Sequence, residues 1–286
     1  MFADLYVIQT VPPSNINRDD TGSPKTAMYG GVRRARVSSQ AWKRAMREDF
    51  AQYLPDEFLG VRTKLAAELI AASITRRRDD LAERAEDLAV AVLKAIGIKM
   101  EKLKRSGEDA DKQATSYLVF IGRQELERLA EVAIGWADGG NDIAKPDKAM
   151  KNQVEAVFHG TRAIDIALFG RMLADASQLN VDAASQVAHA ISVDAVSQEY
   201  DYFTAVDDCA ADDNAGAGMI GTVDFNSSTL YRYATVNIDS LYDQLGDADA
   251  TAQGIAAFVE AFVRSMPTGK QNTFANRTLP SCVLVS

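Results

Sequence analysis

Ser38-Ser39-Gln40-Ala41-Trp42-Lys43-Arg44-Ala45-Met46-Arg47-Glu48-Asp49-Phe50 is the stretch on which the architecture of this chain turns. Ser38 or Ser39 is a good N-cap, because a serine hydroxyl accepts from the free N–H groups of a first helical turn. Trp42, Ala45, Met46 and Phe50, with Tyr53 beyond them, recur at helical spacing and predict one apolar stripe on a helix running to about Tyr53. Gln40, Lys43, Arg44 and Arg47 fall largely on the other side. Such a helix docks on a sheet by its stripe and presents cations outward.

Upstream, Leu5 to Thr10 is apolar and β-rich and reads as a strand that Pro12-Pro13 ends. Ser14 to Gly31 reads as a loop, with Pro24 and Gly30-Gly31 as breakers. Downstream, residues 55–158 are mostly helical in pattern. Leu65, Leu69 and Ile70 begin one stripe, and Leu81, Ala85, Leu88, Val92 and Ile96 form another, with Gly97 placed as a stop. Lys99 to Gln113 is charged and reads as a loop; Tyr117 to Ile121 is a short β-rich run leading into a further helix. Strand-like segments return at Ile164 to Phe169, Val187 to Val193 and Thr229 to Ile238. Thr204 to Thr222, rich in Ala, Gly and Asp, cannot build a core and suits a protruding hairpin or mobile loop. Thr251 is placed to cap an amphipathic helix carrying Ile255, Phe258, Val259, Phe262, Val263 and Met266. Cys282 to Val285 reads as a last strand. With 55–158 set aside as an insertion, the order is strand, helix, strand, strands, helix, strand, which fits a β-α-β-β-α-β core. The expected fold class is therefore α+β, a ferredoxin-like core spanning 1–54 and 159–286, the plan of RNA-recognition domains. Element order alone is weak evidence of function, since this plan hosts many activities.

The 286 residues are 47% hydrophobic and 25% charged, an ordinary globular balance that suits one large domain or one domain carrying insertions. Met1 to Thr10 lacks the basic start of a secretory signal. No apolar run approaches the ~18 residues of a membrane span, so no membrane partner is expected. Cys209 and Cys282 match no metal spacing and read as reduced thiols of a cytoplasmic protein. The net charge is −9, which taken whole argues against a nucleic-acid partner. The distribution argues the other way. Lys25, Arg33, Arg34, Arg36, Lys43, Arg44 and Arg47 lie in one stretch without an acidic residue, while the other 24 basic residues face all 40 acidic ones. One basic segment on an acidic body points to a local anion site.

Arg33-Arg34-Ala35-Arg36-Val37-Ser38-Ser39-Gln40 would deliver three guanidinium groups to the start of a helix, where free N–H groups and partial positive charge favour phosphate. Lys43 and Arg47, one turn apart, extend the track. The competing reading is a solvated basic face pairing with the acidic body. Asn17-Arg18-Asp19-Asp20 could be a metal or acid/base site, but two adjacent carboxylates do not point at one ligand. A turn whose Asp side chains bond the local backbone is the better reading, with Arg18 free to reach a phosphate. Gly170-Arg171-Met172 is either a turn with an exposed arginine and a half-buried methionine, or a site where the methionine wedges against a base. His189, in an apolar run, reads as a packed structural histidine. Neither it nor His159 has metal-ligand spacing or a nucleophile motif nearby. No phosphate-binding P-loop is found. No catalytic residue, metal or cofactor is expected.

Asn17-Arg18-Asp19-Asp20, Tyr29-Gly30-Gly31, Arg33 to Gln40 and Lys43-Arg44-Ala45-Met46-Arg47 resemble the N-terminus of the CasC-type backbone subunit of the CRISPR Cascade effector, type I-E. Asp165 to Met172 resembles that family's middle strand. Ala188-His189-Ala190-Ile191, Phe203 to Asp208, Tyr231-Arg232-Tyr233-Ala234 and Gly269-Lys270-Gln271 continue the likeness in order. The resemblance implies a repeat-associated RNA-binding fold with a palm, helical fingers over 55–158 and a β-hairpin thumb at about 204–225, with Met219 and Ile220 near its tip. It implies copies stacked in a helical filament along a CRISPR RNA, kinking it periodically and leaving bases free to pair with target DNA, beside other Cascade subunits. The RNA contacts it implies are Arg18, Lys25, Ser38, Gln40, Lys43, Arg47, Arg171, Met172, Lys270 and Gln271. Members of that family usually continue well past residue 286. An RNA-cleaving relative of the same fold is the alternative.

Overall fold

The computed structural model describes residues 1–102, 112–160, 162–205 and 219–286. They form two compact units, one comprising Met1, Ala51–Ser185 and Asn237–Ile255, the other Phe2–Phe50, Gln186–Val236 and Ala256–Ser286.

The second unit is built on a sheet. Its strands are β1 (Phe2–Ser14), β2 (Thr26–Tyr29), β3 (Val32–Val37), β8 (Ser185–Val187), β9 (Ala190–Ser192), β10 (Glu199–Ala205), β11 (Met219–Asn237) and β12 (Cys282–Val285). They run in the order β12-β1-β11-β9-β3-β2, with β8 and β10 pairing on β11. Counting β1, β9, β11 and β12 as the four strands of a β-α-β-β-α-β plan gives the spatial order four-one-three-two, closed by α1 (Ser39–Asp49) and the C-terminal part of α8 (Ala248–Arg264). This is the expected ferredoxin-like α+β fold, with the β2–β3 hairpin added at one edge. The apolar stripe of α1 is buried as predicted: Trp42, Ala45, Met46 and Phe50 are buried, as are Leu5, Val7 and Val11 of β1, Leu230 and Ala234 of β11, and Phe258 and Phe262 of α8. Arg232 of β11 is buried too, with its guanidinium 3.7 Å from the Trp42 ring centre and 4.5 Å from that of Phe262. It donates to Gln9 Oε1 at 2.6 Å and to the Phe262 carbonyl. Burial pulls its pKa down.

The other unit holds the helices of the expected insertion: α2 (Ala66–Arg77), α3 (Ala85–Ala95), α4 (Arg123–Asp138) and α5 (Lys148–His159), followed by α6 (Ile164–Phe169) and α7 (Ile238–Leu245). Ile70, Ile74, Leu88, Val92, Leu129, Trp136, Val154 and Phe158 share one core. The unit also holds two small two-stranded antiparallel sheets, β4 (Gly60–Thr63) on β7 (Val119–Gly122) and β5 (Met100–Lys102) on β6 (Gln113–Thr115). The division places 159–185 and 237–255 with these helices, where the sequence placed them in the palm.

Several elements differ from expectation. Ile164–Phe169 is a helix, not a strand; every residue in it is buried, Asp165 included, and a short run that is apolar but for one residue carries too little periodicity to tell the two apart. β1 continues through Pro12 and Pro13, because β12 pairs only with Leu5–Ile8, so on that side the missing N–H groups cost no ladder bond. β2 lies inside the loop expected over Ser14 to Gly31, and residues 32–37, given no element from the sequence, form β3, with Ala35 and Val37 inward between outward arginines. Val187–Val193 is two short strands, β8 ending and β9 beginning around Ala188-His189. Asp247, not Thr251, caps α8, its Oδ1 accepting the Ala250 N–H at 2.9 Å. Where the thumb is expected, at about 204–225, β10 pairs antiparallel with β11 from Glu199 and Phe225 onward. Residues 206–218 of that expectation lie outside the described residues.

Candidate nucleic-acid interface

Four separate segments of the sheet unit meet around Ile16 and Asn17. The Asn17 carbonyl accepts the Lys25 N–H at 2.9 Å, and its side-chain Oδ1 accepts the Ser38 N–H at 2.8 Å at the start of α1. The Lys25 carbonyl accepts the Arg36 N–H at 2.9 Å. On the other side, Gly269 abuts Ile16 so closely that a Cβ there would come within 2.4 Å of the Ile16 carbonyl oxygen, so only glycine fits. This approach brings Lys270, in the left-handed region at φ 50°, and Gln271 beside the Asn17–Arg18 loop. Gln271 opens α9 (Gln271–Phe274), and Phe274 packs on Phe225 at 5.7 Å between ring centres. Arg18, Lys25, Arg36, Ser38, Gln40, Lys270 and Gln271, expected from distant stretches, thus share one region.

The loop itself is a side-chain-bonded turn, as its sequence predicts. Asp19 Oδ1 accepts from the Thr21 N–H at 2.9 Å, the Thr21 hydroxyl at 2.7 Å and the Ser23 N–H at 3.0 Å. The Thr21 hydroxyl, ahead of the backbone donors, holds the Asp19 carboxyl below its ordinary pKa. Arg18 is exposed beside it. Asn15 Nδ2 donates to the carbonyls of Gly22 and Asp224, each at 2.9 Å, fastening this loop to β11.

The arginines leave β3 rather than the helix start. Gly30 and Gly31, at φ 62° and 80°, make the turn of the β2–β3 hairpin. Arg33 is exposed. Arg34 donates to the carbonyls of Tyr29 at 3.0 Å and Ser192 at 2.9 Å. Arg36 donates to the Thr26 carbonyl at 3.3 Å and meets His189 Nδ1 at 3.3 Å. Ser38 takes the extended N-cap conformation, but its side chain is buried and makes no cap bond. Gln40 is exposed at the helix start, and Lys43 and Arg47 are half-buried on α1. Met219 and Ile220 are exposed on the β10–β11 hairpin.

In the helical unit Arg171 and Met172 part ways. Arg171 is 3% exposed, so the surface contact expected of it is corrected. Its NH1 lies 2.8 Å from both carboxylate oxygens of Glu125, its Nε donates to the Leu179 carbonyl at 3.1 Å, and its guanidinium lies 5.0 Å from the Phe158 ring centre. Glu125 also accepts the Gly122 N–H at 2.7 Å at the start of α4, so the pair anchors a helix terminus. Nothing in the local sequence signals this, because Glu125 is remote in the chain. Met172 turns the opposite way and is 82% exposed, not half-buried. It borders an open groove of about 520 Å³ with Leu118, Phe120 and Arg62, the last lying 4.7 Å over the Phe120 ring. His189, taken as packed, is exposed beside Arg36.

Fold and site together define a ferredoxin-like α+β protein with a cationic edge on an acidic body and an exposed antiparallel strand pair, β10 on β11. The chain belongs to the CT1975-like protein family, whose model matches residues 3–286. Two solved chains are similar over the whole of it. One, from a "CRISPR RNA-guided surveillance complex, pre-nicking", is 38% identical with a TM-score of 0.84, and 78% of that chain is covered. The other, from a "CRISPR RNA-guided surveillance complex", is 32% identical with a TM-score of 0.68, and 75% of that chain is covered. No curated protein matches the chain.

Proposed function

We propose that this chain is a repeating, non-catalytic subunit of a CRISPR RNA-guided surveillance complex that holds the CRISPR RNA by its phosphates. The observation that carries this reading is the meeting, around Ile16 and Asn17, of segments bearing Arg18, Lys25, Arg36 and Lys270. A local concentration of cations on a chain of net charge −9 holds one RNA strand without coating nucleic acid indiscriminately. The relatives' RNA-guided complexes and the sequence likeness to the type I-E backbone subunit support it. In its fuller form the reading has copies of the chain in a helical filament with other Cascade subunits in the cytoplasm. Met172 and the β10–β11 hairpin, with Met219 and Ile220, would kink the guide and leave its bases free to pair with target DNA. Sequence is then read by base pairing, not by the protein.

The endoribonuclease reading is less well supported. Asp19, the carboxylate best placed in the Arg18 loop, already serves as acceptor for Thr21 and Ser23. Purified chain incubated with labelled single-stranded RNA and magnesium should bind it intact. Arg18→Ala and Lys270→Ala should each weaken binding alike for unrelated sequences and shrink the slope of log affinity against log salt by roughly 0.7. Cleaved RNA, or loss confined to one sequence at unchanged slope, would overturn the reading.

A further inference from the structure

His189 stands between β8 and β9, and its ring faces β3. Arg36 of β3 pairs in register with Ile191, and its NH1 lies 3.3 Å from His189 Nδ1. A guanidinium only donates, so Nδ1 must accept: the ring is neutral and carries its proton on Nε2. The ring's partial loss of solvent against β3 first, then the charges of Arg36 and Lys25, hold the His189 pKa below the ordinary histidine value, though the residue as a whole stays exposed. Among the described residues, neither Lys25 nor Arg36 has a carboxylate partner, on a chain with 40 acidic residues. Strand alternation places Tyr231 and Tyr233 of β11 and Asp4 of β1 on this same sheet face. Asp4 is already engaged there by the Tyr233 hydroxyl at 2.8 Å. Two uncompensated cations facing a neutral imidazole make a place that lacks an anion.

We propose that His189, Arg36 and Lys25 form one anion subsite for an RNA phosphodiester, in which the imidazole takes up a proton from solvent as the anion binds. This rests on the RNA-binding reading above and adds a residue and a proton to it. The anion's charge offsets the repulsion of Arg36 and Lys25 on the ring, so protonation becomes favourable. A protonated ring has no acceptor left for Arg36, which frees the guanidinium to meet the phosphate together with the two ring N–H donors. The phosphodiester stays anionic throughout, so the proton counted is the histidine's.

His159 and His189 are the chain's two histidines, so both are resolvable by NMR in full-length protein labelled at histidine. Their titrations are followed between about pH 5 and 8 with and without mixed-sequence single-stranded RNA, and His189→Gln assigns the signals. The His189 pKa should rise on RNA binding while that of His159 stays. RNA affinity should tighten on acidification by up to about tenfold per pH unit between the free and bound values. His189→Gln should abolish that dependence. An unmoved His189 pKa in RNA-bound protein overturns the subsite and leaves the RNA-binding reading standing. Absence of RNA binding at every pH overturns both.

Discussion

Replacing Arg171 with alanine separates a framework guanidinium from an RNA contact. Arg171 and Glu125 are both buried, with 2.8 Å contacts between them, so removing one leaves the other charge stranded. That costs about 3–5 kcal/mol. Glu125 keeps the Gly122 N–H at 2.7 Å, which places the loss near the lower end, at about 3 kcal/mol. Against a domain stability of roughly 5–15 kcal/mol this is a large fraction. The assay is urea unfolding followed by Trp136, which belongs to the same unit; Trp42 belongs to the other and is replaced by Phe in the background. With a urea slope of about 2 kcal/mol/M, the midpoint should fall by about 1.5 M. Pairing Arg171→Met with Glu125→Leu should recover most of the loss, since a packed apolar pair replaces a buried ionic one at little cost. A midpoint shift under about 0.5 M, accompanied by weakened RNA binding, would show that Arg171 faces the ligand and would refute the framework assignment.

Met172→Ala is expected to behave in the opposite way: at 82% exposure it should shift stability by no more than about 0.5 kcal/mol. If it stacks on a base, RNA affinity should drop by about 1–3 kcal/mol, measured by fluorescence anisotropy; a fall in stability with unchanged affinity would return it to a packing role. Asp19 has a lowered folded pKa, so its contribution to stability is complete above the ordinary aspartate range and is lost as pH falls through the depressed value. In Asp19→Ala the acid limb of the unfolding profile should therefore be flatter than in the parent chain, and identical limbs would show that the turn does not depend on the charge.

The division between legible and hidden features follows the range of the interactions. The stripe Trp42, Ala45, Met46 and Phe50 was legible because helical periodicity is written in neighbouring residues, and all four are buried as it predicts. The Asp19 turn was legible for the same reason, its donors lying within four residues. Cys282–Val285 was legible as a strand by composition. Ile164–Phe169 was not, because a six-residue run that is apolar but for Asp165 fits either element and only its burial on all sides, with Gly170 ending it, decides for a helix. β3 escaped notice because three arginines masked a two-residue alternation.

By itself, then, the sequence determined the first and last strands of the core, the two helices that close its sheet, the basic stretch within an acidic chain, and the residues that could meet an anion. Tertiary structure alone decided which of those residues meet. Lys270 and Gln271 come beside Arg18 only because Gly269 can touch Ile16, more than 200 positions away in the chain. Arg171 and Met172 are neighbours of similar promise in sequence, yet one is turned inward by a carboxylate on α4 and the other is left in solvent. His189 became a functional residue only once strand pairing put Arg36 beside it. Periodicity and capping are set by contacts a few residues apart. The partner of a charge is set by whichever distant segment the fold brings within about 3 Å, where hydrogen bonding and desolvation act.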